Sequence, residues 1–266
     1  MRIKSLGFRT DVALRVLEGA EVTDRGEYLV IRSADNPGFW WGNFLLLSEL
    51  PGPGTADAWL TRFAAEFPQA RHVALGVDLA GPPGALAELP QEFTAVGLQP
   101  HRETALTAAA TEPGPPPYPN TEAEFRALDS DADWQQSREL GLRCFPDSNP
   151  LEYLDRRAAA RRRLTEAGHG AWFGAFTGGR LVAQLGLFDA GGGYARYQHV
   201  ETDPGARRQG LAGTLVWHAS RYARDVLGAS TLVIVADPAD VAIRVYRACG
   251  FADFQGQFSL ERPSAV

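Results

Sequence analysis

The stretch Val200-Glu201-Thr202-Asp203-Pro204-Gly205-Ala206-Arg207-Arg208-Gln209-Gly210-Leu211-Ala212-Gly213 has the composition of an anion-binding joint. It follows a predicted strand, Tyr194 to Thr202, and precedes a predicted amphipathic helix, about Leu211 to Leu227. The first amides of a helix have no partner inside it. Together with the positive end of the helix dipole they attract an anion such as a pyrophosphate. Gly210 and Gly213 lack a Cβ, which lets the backbone come close to a ligand. Arg207 and Arg208 add positive charge beside them. No Gly-Lys-Ser/Thr follows, so this is not a Walker loop. No Gly-x-Gly precedes the helix, so it is not a dinucleotide fingerprint either.

The elements that must position this joint can be read on both sides of it. Five prolines in the seven residues Pro113 to Pro119 exclude a helix or a central strand and favour an extended spacer. Beyond it, Glu124 to Leu128 reads as a short strand. Ser130, with Asp131 and Asp133 after it, reads as a helix start. Asn149-Pro150 starts a second helix, with Asn as cap and Pro at its first position, and Gly168 ends it. Ala171 to Phe176 and Leu181 to Phe188 form a hairpin about Gly179. Thr231 to Val235 is a buried strand, Ala239 to Cys249 a helix stopped at Gly250, and Phe251 to Leu260 a last strand. The order β-α-α-β-β-β-α-β-α-β predicts an α/β fold with a mixed central sheet flanked by helices.

The first half repeats part of this order. Phe8 to Leu17 reads as strand or helix, and Glu27 to Arg32 and Phe39 to Leu47 as strands. Thr55 caps a helix, His72 to Val77 is a strand, Gly84 to Gly97 is largely helical, and Pro100 to Ala108 is the last strand. The joint Phe93-Thr94-Ala95-Val96-Gly97-Leu98 parallels Tyr246-Arg247-Ala248-Cys249-Gly250-Phe251. The expectation is a diverged duplication.

Composition bounds the partners. The 266 residues are 45% hydrophobic and 22% charged, which is ordinary for a globular chain. A net charge of −6 speaks against a nucleic-acid partner. The apolar runs are too short for a bilayer, and no leader-like pattern opens the sequence. Cys144 and Cys249 are too few for a disulfide scaffold or a Cys-based metal cluster. These readings predict a soluble, cytoplasmic protein with no metal and no membrane contact. Arg156-Arg157 and Arg161-Arg162-Arg163 read as a solvated helix face.

Arg207-x-x-Gly210-x-Ala212, followed by Ala242-x-x-x-Tyr246-x-x-x-Gly250-Phe251, resembles the GNAT superfamily of acyl-CoA-dependent N-acetyltransferases. The resemblance covers most of residues 121–266. It implies an acyl-CoA N-acyltransferase fold, with a diverged domain over 1–110, a linker over 111–120 and an acetyl-CoA-binding domain over 121–266. It also implies that Val200, Glu201 and Thr202 expose backbone groups to the pantetheine arm on a splayed strand. Arg207, Arg208, Gln209, Gly210, Leu211, Ala212 and Gly213 would cradle the pyrophosphate. Tyr246 would protonate the leaving thiolate, as a phenol of ordinary pKa, about 10, can do at neutral pH. The first half has Pro51-Gly52-Pro53-Gly54-Thr55-Ala56 in place of the loop and Phe93 in place of Tyr246. As a second copy, it would have lost acyl-CoA binding.

Two departures from the family pattern matter. Ala239 stands where an Asn often contacts the cofactor. Arg196, Gln198 and His199 occupy the strand region where many members carry a base carboxylate. Glu201 is the nearest acid, turned away by simple alternation unless a bulge restores it. His199 has a suitable intrinsic pKa, and water is a third choice. The expected activity is transfer of an acetyl group from acetyl-CoA to a small-molecule primary amine by direct attack. The alternative is a non-catalytic acyl-CoA-binding or sensing protein. A third idea, an interaction surface at Phe39-Trp40-Trp41, competes with the commoner role of such clusters in packing.

Overall fold

Local signals set most element ends. Ser130 accepts the amide of Asp133, whose carboxylate reaches back to the Ser130 amide, a complete capping box. The computed structural model describes residues 1–84, 90–145 and 151–263. In chain order the elements are α1 (Leu6–Leu17), β1 (Glu21–Asp24), β2 (Tyr28–Arg32), β3 (Asn43–Leu47), α2 (Ala56–Glu66), β4 (Val73–Val77), α3 (Gln91–Ala95) and β5 (Gln99–Ala109). There follow β6 (Glu124–Ala127), α4 (Asp131–Cys144), α5 (Leu151–Glu166), β7 (Gly170–Thr177), β8 (Arg180–Asp189) and β9 (Tyr194–Thr202). The last four are α6 (Leu211–Asp225), β10 (Thr231–Ala236), α7 (Ala242–Ala248) and β11 (Ala252–Arg262).

The chain divides into two units, Met1–Ala105 with Asp253–Val266, and Leu106–Ala252. In the first unit the strand order is β1-β2-β3-β4-β11-β5. β3 and β4 are parallel, and β11 runs antiparallel to β4 from Phe258↔Val77 to Arg262↔Val73. The sequence reading had placed 253–266 with the second half. Here Phe258 and Leu260 instead lie in a core with Leu45, Phe63, Leu75 and Phe93. Polar contacts fix the strand: Gln255 accepts the Leu6 amide, and Glu261 accepts the indole N–H of Trp41.

Phe8 to Leu17, ambiguous by pattern, is helical because Ser5 caps it and Phe8 and Val12 turn into one core. The expected strand Phe39 to Leu47 begins only at Asn43. Trp40–Gly42 forms a 3-10 turn, held by the Asn43 side-chain amide donating to Asn36 and Phe39 carbonyls. Trp40 stacks on His72 and Trp41 packs on Phe44, so both rings serve the packing of this unit. β1 has no apolar alternation and had no sequence signal. Of the expected helix Gly84 to Gly97, residues 85–89 lie outside the described residues. Pro90 caps the short α3 rather than interrupting it.

In the second unit the order is β5-β10-β9-β8-β7-β6. β6 to β9 are antiparallel neighbours, and the β7–β8 hairpin turns at Gly178 and Gly179, both with positive φ. The mixed sheet flanked by helices is the fold the element order predicted. Leu211, Leu215 and Ala219 of α6 pack with Leu185, Leu187, Leu232 and Ile234 of the sheet. The predicted helix start at Asn149-Pro150 lies outside the described residues. Among the described residues no helix is long and apolar enough to cross a membrane.

Candidate active site

β9 and β10 are parallel and pair only from Thr231↔Tyr194 to Val233↔Arg196. Past that point β9 continues to Thr202 and β10 to Ala236 without further register, so the two strands part. β9 also bulges. Gly186 faces Gln198 and Gln184 faces Glu201, so one residue of β8 is spanned by two of β9, His199 and Val200. His199 takes the left-handed conformation, φ 48°. The extra residue resets alternation and puts Glu201 on the face of Gln198.

Glu201 is 7% exposed. Burial pushes its carboxyl above the ordinary carboxylate value, opposed by the charge of Arg161 and by a hydrogen bond from Gln184. The Gln184 amide donates to Glu201 Oε2 at 2.6 Å, while its oxygen accepts from Ser137 and from the indole N–H of Trp172. His199 Nδ1 lies 3.7 Å from Glu201 Oε1. Gln184, Ser137, Trp172 and Arg161 were not foreseen. The available signal was one amide, Gln184, inside the apolar run Leu181 to Phe188. The arginine cluster also departs from its solvated reading: Arg157 is buried, and the Arg161 guanidinium lies 4.6 Å from the Trp172 ring centroid.

The loop after β9 is built from special backbone. Asp203 accepts the Gly205 amide and pairs with Arg143 and Arg180. Arg208 (φ 62°) and Gly210 (φ 75°) are left-handed, and Gly210 is the N-cap of α6. The first intrahelical bond at this end is from the Thr214 amide to the Gly210 carbonyl, so the amides of Leu211 to Gly213 precede the helical ladder. Arg207, Arg208 and Gln209 are exposed beside them.

What approaches Gly210 most closely, however, is the chain itself. A Cβ there would stand 2.2 Å from the Tyr118 carbonyl oxygen, and one at Gly213 would stand 3.0 Å from the Pro116 ring. Asn120 ties the proline-rich segment down, donating from its amide to Thr214 Oγ1 and from its side chain to the Gln209 carbonyl. These glycines therefore admit the linker strap, a packing role the sequence reading had assigned to a ligand.

Tyr246 is 5% exposed and shares the second unit's core with Cys249 and Phe251. Burial, with Asp240 and Cys249 as lesser causes, raises its hydroxyl well above the ordinary phenol range. It is a weaker acid than the sequence reading assumed, and protonated at neutral pH. Of the pantetheine-strand residues, Val200 and Thr202 are half-buried, and the Thr202 carbonyl accepts the Cys144 thiol. Ala239 is exposed, its amide bound to Asp237. Among the described residues no three His, Cys, Asp or Glu side chains gather where they could hold a metal.

Residues 134–251, which span the bulge, the parted strands, the loop and Tyr246, match the Acetyltransferase (GNAT) family. That stretch is similar to the GNAT acetyltransferases. Acetyl-CoA-dependent N-acetylation is the general activity of that family. No curated protein sequence matches the chain. Solved structures share the fold of the GNAT domain and more. A conserved protein of unknown function from Staphylococcus epidermidis matches with TM-score 0.68 at 10% identity, over 91% of this chain and 93% of that one. A GCN5-related N-acetyltransferase from Kribbella flavida matches with TM-score 0.62 at 17% identity, over 98% of both. A tandem GNAT protein from the clavulanic acid biosynthesis pathway gives 0.54 at 14%, over 90% of this chain and 83% of that one. At such identities the likeness concerns the fold.

Proposed function

We propose that the protein moves an acetyl group from acetyl-CoA to a primary amine in a ternary complex, at the opening between β9 and β10. The supporting observation is strand pairing that stops at Arg196 and Val233, beside a helix N-terminus flanked by exposed arginines. The donor set suits a pyrophosphate: Arg207, Arg208 and Gln209, with the amides of Gly210, Leu211, Ala212 and Gly213. Backbone of Val200 to Thr202 lines the pantetheine arm, and an amide there polarises the acetyl carbonyl.

Acetyl-CoA supplies the thioester. Glu201 takes the proton that the attacking amine loses, directly or through water; its upward-shifted carboxyl is a stronger base than an exposed one. His199 is the second candidate for that proton. As the N–C bond forms and the C–S bond breaks, the Tyr246 O–H delivers a proton to the departing sulfur. The first unit, in this reading, is a diverged copy without acyl-CoA. The competing reading, a non-catalytic acyl-CoA binder, draws on the deep burial of Tyr246. Titration calorimetry with acetyl-CoA, followed by thiol release on addition of amines, tests the proposal. A chain that binds no acetyl-CoA refutes it.

A further inference from the structure

Gln184 of β8 and Trp172 of β7 are fully buried, and Ser137 of α4 is nearly so. Together they fix how the Gln184 amide lies. An indole N–H only donates, so the Gln184 atom 3.0 Å from Trp172 Nε1 is the oxygen. That oxygen also accepts the Ser137 hydroxyl at 2.5 Å. The nitrogen then places its two hydrogens on the Ser137 carbonyl, at 3.2 Å, and on Glu201 Oε2, at 2.6 Å. A flipped amide would set an N–H against the indole N–H and its oxygen against a carbonyl, so the amide has one orientation. The bulge in β9 brings this amide and Glu201 together. Gln184 faces Glu201 across the strand pair; with the register of Gly186↔Gln198 carried on unbroken it would face Val200.

The two oxygens of Glu201 consequently differ. Oε2 lies toward α4, where a Cβ on Gly141 would stand 3.9 Å away, and takes the Gln184 N–H. Oε1 lies on the His199 side, 3.7 Å from Nδ1. A proton on Oε2 would meet an N–H that is held as a donor, whereas a proton on Oε1 leaves that hydrogen bond intact. We propose that Gln184 is a positioning residue, which keeps Oε2 as a permanent acceptor and directs the proton lost by the attacking amine onto Oε1. The electrons of the broken N–H bond stay on nitrogen. This rests on the acetyl-transfer reading above, but the hold of Gln184 on the carboxyl can be read without turnover.

The test uses the full chain. The Glu201 carboxyl is titrated by NMR of glutamate labelled at the side-chain carboxyl carbon, its signal being the one lost in Glu201→Gln. Gln184→Met keeps the length and drops the donor. Trp172→Phe keeps Gln184 but frees its amide to turn. Each weakens a hydrogen bond that favours the carboxylate, so the midpoint should move up, by about one pH unit or more in Gln184→Met and by less in Trp172→Phe. Among the described residues, the other groups facing Glu201 are Arg161 of α5, Cys144 of α4 and His199 of its own strand. Arg161 stays charged, and Cys144, pushed up to about 11 by burial, stays neutral. His199 is the one that titrates near neutrality, and His199→Asn, which suits its left-handed backbone, removes that overlap.

Thiol release from acetyl-CoA, with phenethylamine as the probe acceptor, then follows the reaction. The acceptor's own ionisation is common to every variant and cancels. The acid limb of kcat should move with the carboxyl midpoint. On the plateau kcat should fall about 10- to 100-fold with both KM values unchanged, because Gln184 is sealed from substrate. An unmoved carboxyl midpoint in Gln184→Met overturns the proposal, as does a raised KM with an unmoved acid limb, the mark of a merely structural role. Calorimetry with acetyl-CoA tests the parent reading separately. Should that fail, or no amine react, the carboxyl titration alone decides. Trp172→Phe carries the same test if Gln184→Met folds poorly.

Discussion

Glu92 Oε1 accepts the Thr55 amide at 2.9 Å, and the same carboxylate takes the Gly54 amide at 2.8 Å and the Ala56 amide at 3.1 Å. The N-terminus of α2 is thus closed by the chain's own anion. These amide bonds, Gly54 first, hold the Glu92 carboxyl below the ordinary value. A depressed carboxylate contributes stability above its unfolded pKa and loses it as pH falls through the folded value. Glu92→Gln should therefore lower the thermal midpoint at neutral pH, with the difference vanishing on acidification. The same closure leaves no anion site at α2, so calorimetry should give one acetyl-CoA per chain. A stoichiometry of two would contradict this account.

Gly210 has φ 75° and sits against the Tyr118 carbonyl. Gly210→Val should cost stability before any ligand is considered, about 1–3 kcal/mol for the left-handed backbone alone and more for moving the strap. Arg208→Ala should behave differently. Its side chain is exposed, so the melting temperature should hold while acetyl-CoA affinity falls about tenfold. Thermal melts paired with calorimetry separate the two. A Gly210→Val protein that melts like wild type would argue against the strap contact.

Glu201→Gln keeps size and hydrogen-bonding shape but removes the base. Turnover should fall about 10²–10⁴-fold. In wild type the rate should drop as pH falls through the raised Glu201 value, and that limb should vanish in the variant. The sign for stability is opposite to that of Glu92. A raised carboxyl favours the fold below its unfolded pKa and loses that contribution as pH rises through the folded value. At neutral pH Glu201→Gln should thus be no less stable than wild type. Retention of the acidic limb in the variant moves the base to His199 or water.

Tyr246→Phe removes only the hydroxyl from a 5% exposed ring. If that hydroxyl protonates the thiolate, turnover should fall about 10²–10⁴-fold with acetyl-CoA affinity unchanged. A purely structural donor predicts a loss of about 1 kcal/mol in stability and a normal rate. Full activity in thiol-release assays would sink the general-acid role and favour the binding-only reading.

Much of this protein is determined along the chain. Ser130 and Asp133 specify their helix start, Gly178-Gly179 their hairpin, and Gly210 the left-handed residue before α6, because each acts on backbone within a few residues. Periodicity gave the element order for the same reason: it reports which face of an element is buried.

Tertiary structure alone decided who the neighbours are. Strand β11 reads as the partner of its own half, yet it pairs with β4, and Leu106 to Ala109 of β5 belong to the second unit. Backbone hydrogen bonds carry no address, so an apolar strand fits beside several others, and packing of Phe258 and Leu260 makes the choice. A fragment of residues 121–266 would lose part of β5 and strand β11 without its partner, so the full chain is the unit to test. Likewise, the inward turn of Arg161 is met by Trp172 and Glu201 arriving from other elements. A charge run in sequence cannot say which of its members will meet a carboxylate fixed by a bulge forty residues away.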